Sequence, residues 1–149
     1  MKKIVVLGGG ISGYGSAILA KKKGFGVFLS DAGRIADRYK AKLDEWEVPY
    51  EEGGHTEERI LAATEVVKSP GIPDTVPMVR KIREAGIPVI SEMEFAGRYM
   101  GKAKCICITG SNGKTTTTSL IYKIMRDAGM NVALGGNIGE SFAWSVATG

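Results

Sequence analysis

Lys3-Ile4-Val5-Val6-Leu7-Gly8-Gly9-Gly10-Ile11-Ser12-Gly13 opens the chain with a short β-branched run that breaks directly into glycines. Read as strand, turn and helix start, it places Gly8, Gly10 and Gly13 on the GxGxxG pattern, and Asp31 falls at the end of the next expected strand. In a nucleotide-binding α/β domain such glycines let backbone approach a pyrophosphate, and an acidic residue about 20 positions on holds a ribose hydroxyl. The pattern alone does not name the nucleotide. A tight strand–helix packing turn uses the same glycines, and Asp31 also suits a turn ahead of Gly33. The rest of the first hundred residues keeps the same rhythm. Strands are expected over 3–7, 26–30, 48–50, 65–68 and 87–90, and helices over 12–23, 36–46, 56–63, 75–85 and about 92–99. Alternation of this kind predicts a Rossmann-like α/β domain over 1–99, a parallel sheet with helices on both faces.

Ile106-Cys107-Ile108-Thr109-Gly110-Ser111-Asn112-Gly113-Lys114-Thr115-Thr116 repeats the logic with different chemistry. An apolar strand over 104–109 is expected to end in a glycine-bracketed turn that opens a helix over 114–128. Backbone N–H groups of such a turn, together with the helix dipole, suit a polyphosphate. Lys114 can place a charge between the outer phosphates, and the Thr115 hydroxyl can ligate Mg²⁺. The full P-loop spacing has a glycine where Ile108 stands, so this is a shortened GxxGKT loop. Threonines after a glycine turn also serve in ordinary helix caps. After 100–103, a plausible linker, these residues begin a second α/β unit, continued by a strand over 132–134 and a helical turn or two over 140–146. Two strands cannot bury their own faces. The chain therefore reads as one complete domain over 1–99 plus the opening strand, P-loop and helix of a second over 104–149. That unfinished unit is expected to self-associate, to dock against the first domain or to stay partly disordered.

Composition narrows the function class. The 149 residues are 44% hydrophobic, and 21 are glycine, clustered at expected strand-to-helix turns. A net charge of +4 with interleaved signs suits small anions but gives no dense basic stripe, so no nucleic-acid partner is expected. No apolar stretch is long enough to span a bilayer, and the amino-terminal run is too short for a signal peptide, so a cytoplasmic protein is expected. Cys105 and Cys107, the only cysteines, are read as buried thiols of a core strand rather than a metal site. His55 is read as an exposed loop residue without a catalytic role, and Tyr39 and Trp46 as core.

Two further turns complete the pattern. Ser69-Pro70-Gly71 ends an expected strand and should share a crevice with the first glycine turn, where Ser69 could donate to a phosphate or sugar. A plain Pro-Gly turn would look the same. Gly135-Gly136-Asn137-Ile138-Gly139 again permits close backbone approach, and Asn137 offers both a donor and an acceptor.

Taken in order, the four motifs resemble the Mur ligases of bacterial cell-wall synthesis, over essentially the whole chain. Asn112 and the Gly-Gly-Asn-Ile-Gly run favour the branch that adds D-glutamate to UDP-N-acetylmuramoyl-L-alanine over the L-alanine-adding branch, which usually carries histidine at both places. The resemblance implies an ATP-dependent amide-bond-forming ligase. ATP would phosphorylate the terminal carboxylate to an acyl phosphate, and the amine of D-glutamate would attack it. It further implies that Gly110, Ser111, Asn112, Gly113, Lys114, Thr115 and Thr116 hold ATP, with Thr115 on Mg²⁺. Ile11, Ser12, Gly13, Asp31, Ser69, Pro70 and Gly71 would grip the UDP end of the substrate. Lys114 and Asn137 would act at the reacting end, Asn137 beside the sugar-peptide. Where family members often have threonine and arginine after the residue matching Asp31, Ala32 and Gly33 stand here, and Arg34 comes one place late. The family's acidic Mg²⁺ ligand, metal-facing histidine, modified lysine and D-glutamate-binding domain have no counterpart in these residues. An amino-terminal piece, inactive by itself, is therefore expected. The rival readings are an NAD(P)- or flavin-binding oxidoreductase domain, which has no use for Lys114-Thr115 at a separate strand end, and a non-catalytic nucleotide-binding module.

Overall fold

Alternate residues of Lys3–Leu7 are apolar toward both sides, which commits this strand to the middle of a sheet covered on each face. The computed structural model describes residues 1–136 and 138–149. It places that strand, β1, at the centre of a five-stranded parallel sheet. The others are β2 (Gly26–Ser30), β3 (Tyr50–Glu51), β4 (Glu65–Lys68) and β5 (Val89–Ser91), in the spatial order β3-β2-β1-β4-β5. The chain runs outward from β1 to one edge, then crosses back to build the other side. That reversal leaves a crevice beyond the carboxyl ends of β1 and β4.

Helices α1 (Ile11–Lys22), α2 (Asp37–Glu45), α3 (Glu57–Leu61) and α4 (Pro77–Glu84) provide the crossovers, and α5 (Glu92–Gly97) follows β5. Ile4 and Val6 join Leu29, Val67, Leu43 of α2, Phe95 of α5 and the apolar side of α1 in one buried cluster. Val5 and Leu7 point the other way, with Phe28 and Val66, against Ile60 of α3 and Met78, Val79 and Ile82 of α4. Glu65, at the start of β4, is nearly buried and lies 3.0 Å from Lys2 and 2.8 Å from Arg98. Burial pushes its carboxyl up, but hydrogen bonds from Arg98 and Lys2 more than offset this and hold it below the usual range.

Most expected elements form within two residues of their expected ends. The exceptions lie late in the chain. Residues 104–109 and 132–134, read as strands, are in no strand. A strand is held by neighbours, and neither segment finds one among the described residues. As a direct result Cys105 and Cys107 are exposed rather than buried, their Sγ atoms 3.6 Å apart. Helix α6 (Lys114–Asp127) forms but buries none of its residues, whereas α7 (Phe142–Thr148) docks on the first domain through Ala143 and Ala147.

This docking explains an oddity of α1. Its residues Gly13, Tyr14, Gly15, Ser16, Ala17, Ile18, Leu19 and Ala20 are all buried, so the helix has no wet face over that stretch. The sheet covers one side of α1 and α7 the other. A helix apolar or small all round is a buried helix.

Candidate functional site

The crevice predicted by the sheet order is present. Gly8 turns the chain at the end of β1 with φ +94°, and its N–H donates to Ser30 O at 2.9 Å. A side chain there would also strike Ser69 Oγ, 2.7 Å from the would-be Cβ. Gly13 lets the first turn of α1 lie on the end of β1. A Cβ on Gly13 would sit 1.8 Å from the Gly8 carbonyl oxygen. Gly10, by contrast, has nothing within 4 Å of its would-be Cβ and faces open space. The glycines thus divide: Gly8 and Gly13 build the turn, and Gly10 keeps it open.

Gly8, Gly10, Ile11, Ser12, Asp31, Ser69, Pro70, Gly71 and Ile72 line a cavity of about 300 Å³ at this corner. No side chain caps the start of α1, so the amides of its first turn remain available to an anion. Asp31 is placed by two backbone donors: Gly9 N to Oδ2 at 2.6 Å and Gly33 N to Oδ1 at 2.7 Å. It therefore ties the first turn to the loop after β2, and serves as the turn residue the sequence also allowed. Ser69 is the informative group. Its hydroxyl is buried in the cavity wall and has no hydrogen-bond partner among the described residues. Leaving such a group unmade costs about 1–3 kcal/mol, which a ligand's acceptor would recover. A larger hollow of about 390 Å³ lies under β1 and β2, near Lys3, Gly26 and Arg59. It is lined by the first residues of those strands and not by the glycine turns at their carboxyl ends, so it does not match the ligand side of an open α/β sheet.

His55, read as an exposed loop residue, is half-buried, with Nδ1 2.6 Å from Ser30 Oγ. The same hydroxyl donates to Glu51 Oε1 at 2.6 Å. Only the β2–β3 pairing shows this cluster; no local spacing signals it.

The second glycine turn stands apart from the first. Gly110 and Gly113 adopt φ +147° and +77°, and Gly113 caps α6 without a side-chain hydrogen bond. Lys114, Thr115 and Thr116 are exposed at the helix start. Their amides belong to the first turn of a 14-residue helix, where backbone donors lack intrahelical acceptors. The donor set fits a polyphosphate: amides, one ammonium and two hydroxyls. Among the described residues no three His, Cys, Asp or Glu side chains gather to hold a metal ion. The loop follows an extended segment, not a formed strand, so the structure does not bring it to the carboxyl end of a sheet.

In the third turn Gly136 N donates to Glu140 O at 3.3 Å, and Gly135 and Glu140 form a parallel bridge. Asn137, assigned to the reacting end, lies outside the described residues. No helix among those described is long and apolar enough to cross a membrane.

Comparison with known proteins gives the family of this chain. Residues 2–91 match the family model "Mur ligase MurD-like, N-terminal domain", and residues 108–146 match "Mur ligase middle domain". A UDP-N-acetylmuramoylalanine–D-glutamate ligase of Bacteroides fragilis is 63% identical over 147 residues, covering 99% of this chain and 33% of the relative. One of the same name from Porphyromonas gingivalis is 56% identical, covering 97% of this chain and 32% of the relative. The chain thus spans about a third of the length of the curated relatives it matches. Among solved structures, the UDP-N-acetylmuramate:L-alanyl-gamma-D-glutamyl-meso-diaminopimelate ligase of Neisseria meningitides superposes with a TM-score of 0.68 at 25% identity, covering 95% of this chain and 46% of that one.

Proposed function

The chain belongs to the Mur ligase family, and from that premise we propose that it serves an ATP-dependent ligase joining D-glutamate to UDP-N-acetylmuramoyl-L-alanine, in the cytoplasm, by holding the two nucleotides. Residues 1–99 hold the uridine end of the sugar substrate, and 104–149 begin the ATP side. The observation that carries this reading is the buried Ser69 hydroxyl, without a hydrogen-bond partner among the described residues, in a glycine-lined cavity at the carboxyl ends of β1 and β4.

Ile11, Ser12 and Gly13 present the first amides of α1 to the diphosphate, and Ser69, Pro70 and Gly71 close the opposite wall. Asp31 lines the same cavity and fixes the first turn to the loop after β2 by accepting from Gly9 and Gly33. At the second turn Gly110, Ser111, Asn112 and Gly113 bend the backbone so that amides converge, and Lys114 and Thr116 add donors. The Thr115 hydroxyl would hold a Mg²⁺ carried in with ATP, and the ion would supply charge neutralisation for the transfer. Phosphoryl transfer between anions depends on such alignment and charge neutralisation more than on a protein nucleophile. Asn137 completes the site beside the sugar-peptide, by family likeness.

The test is calorimetric titration of the chain with UDP-N-acetylmuramoyl-L-alanine and, separately, NADH. Saturable binding of the first alone is expected. Ser12→Trp, which fills a cavity of about 300 Å³, should weaken it at least tenfold with the circular dichroism spectrum unchanged. Preferential binding of NADH would instead favour an oxidoreductase-type domain.

A further inference from the structure

Tyr14 directly follows the last glycine of the first turn, and Glu140 directly follows the last glycine of the third. The two side chains meet. The Tyr14 hydroxyl, on a fully buried ring, donates to Glu140 Oε2 across 126 positions of sequence. The ring stacks on Tyr39 at 4.8 Å and tilts against Trp144 of α7 at 5.6 Å, while Lys42 Nζ sits 4.1 Å over the Trp144 ring. Burial, then the hydrogen bond to Glu140, push the phenol far above its ordinary range, so it remains a donor at any working pH.

Around this contact α7 is held at both ends by the first domain. Glu92 Oε1 accepts from Ala143 N at 2.9 Å at the positive end, and Lys22 Nζ donates to Ala147 O at the negative end. Between them α7 lies almost on the α1 backbone. A Cβ on Gly15 would fall 1.9 Å from Ser141 Oγ. Close contact of small residues sets how near the helices lie, the two end contacts hold α7 itself, and the Tyr14 hydroxyl adds a directional bond to the residue that closes the third turn.

We infer that Tyr14 and Glu140 form a positioning strut that fixes the third glycine turn relative to the first, so that one ligand can span both in register. The strut rests on the uridine reading of the first turn. Neither residue lines the cavity there. A ligand confined to that cavity is therefore indifferent to the strut, whereas a longer ligand reaching the third turn depends on it.

The experiment compares UDP with UDP-N-acetylmuramoyl-L-alanine as calorimetric titrants of the chain. Tyr14→Phe and Glu140→Leu should each weaken the longer ligand about tenfold and leave UDP within twofold. The double variant should be no worse than either single one, since both remove the same bond. Glu140→Gln keeps an acceptor and should restore affinity to within threefold of the unsubstituted chain. Gly15→Ala, which displaces α7 without touching either partner, should reproduce the selective loss. Equal weakening of both ligands, or an unchanged longer ligand, would overturn the strut. Failure of UDP to bind the unsubstituted chain would overturn the uridine reading, and the strut with it.

Discussion

Gly13→Val is expected to abolish cooperative folding of the first domain. The reason is steric and confined to backbone. A Cβ at Gly13 would lie 1.8 Å from the Gly8 carbonyl oxygen and 2.8 Å from its carbon. No rotamer relieves this, because the obstructing atoms belong to the turn itself. Relief requires lifting α1 from the end of β1, and α1 is buried on every side over residues 13 to 20. Overpacking usually costs about 1–3 kcal/mol; a clash with main chain under a fully buried helix belongs to the tail above about 4 kcal/mol. Against a typical stability of roughly 5–15 kcal/mol, a loss of that size takes most of the margin of a domain at the lower end of the range. Urea denaturation followed by circular dichroism should show no native baseline for Gly13→Val. Gly10→Ala, with nothing near its Cβ, should unfold within about 0.5 kcal/mol of the parent chain, the range of substitutions that disturb no packing. Matching midpoints for Gly13→Val and the parent would mean that α1 does not rest on β1 as described.

The second large effect concerns the other nucleotide. Lys114→Ala should weaken MgATP binding by a factor of roughly 30 to 150, the equivalent of about 2–3 kcal/mol. Lys114 is the first residue of α6, directly after Gly113 in the left-handed conformation, so its ammonium starts where the amide donors converge. Removing it leaves those amides in place, and residual binding should survive. Lys102→Ala removes an equal charge from the preceding turn and should change affinity less than twofold. Equal losses from the two variants, read by calorimetry in the same buffer, would reduce Lys114 to part of a diffuse positive field.

How much of the molecule was legible in the sequence differs along the chain. The run from Lys3 to Gly13 carried the fold, because a β-branched segment breaking into GxGxxG has few other uses, and β2, β4 and α6 lie within a residue of their expected positions. Residues 104–109 misled. Their apolar, β-branched character is that of a strand, but strand formation is decided by partners, and those are not among the described residues. The exposure of Cys105 and Cys107 follows from the same cause. Ile11, Ser12, Asp31, Ser69, Pro70 and Gly71 were legible because each follows a strand whose carboxyl end the topology brings to one corner, whereas Gly13 does not line the cavity and Ile72, which does, carried no signal in the sequence. The Tyr14–Glu140 contact was not, being a long-range pairing of two unremarkable positions. One signal did exist: the run Gly-Tyr-Gly-Ser-Ala-Ile-Leu-Ala from Gly13 to Ala20 has no polar face, which asks for a second layer over α1. That layer is α7.

Amide chemical-shift mapping by ¹⁵N NMR tests most directly whether one polypeptide offers two separate anion-binding corners with different guests. Added UDP should shift the amides of Gly9, Gly10, Ile11, Ser12, Gly13, Ser69 and Gly71 and leave those of residues 110–116 in place, while MgATP should do the reverse. Convergence of both nucleotides on the same amides, or shifts from UDP confined to residues 110–116, would contradict it.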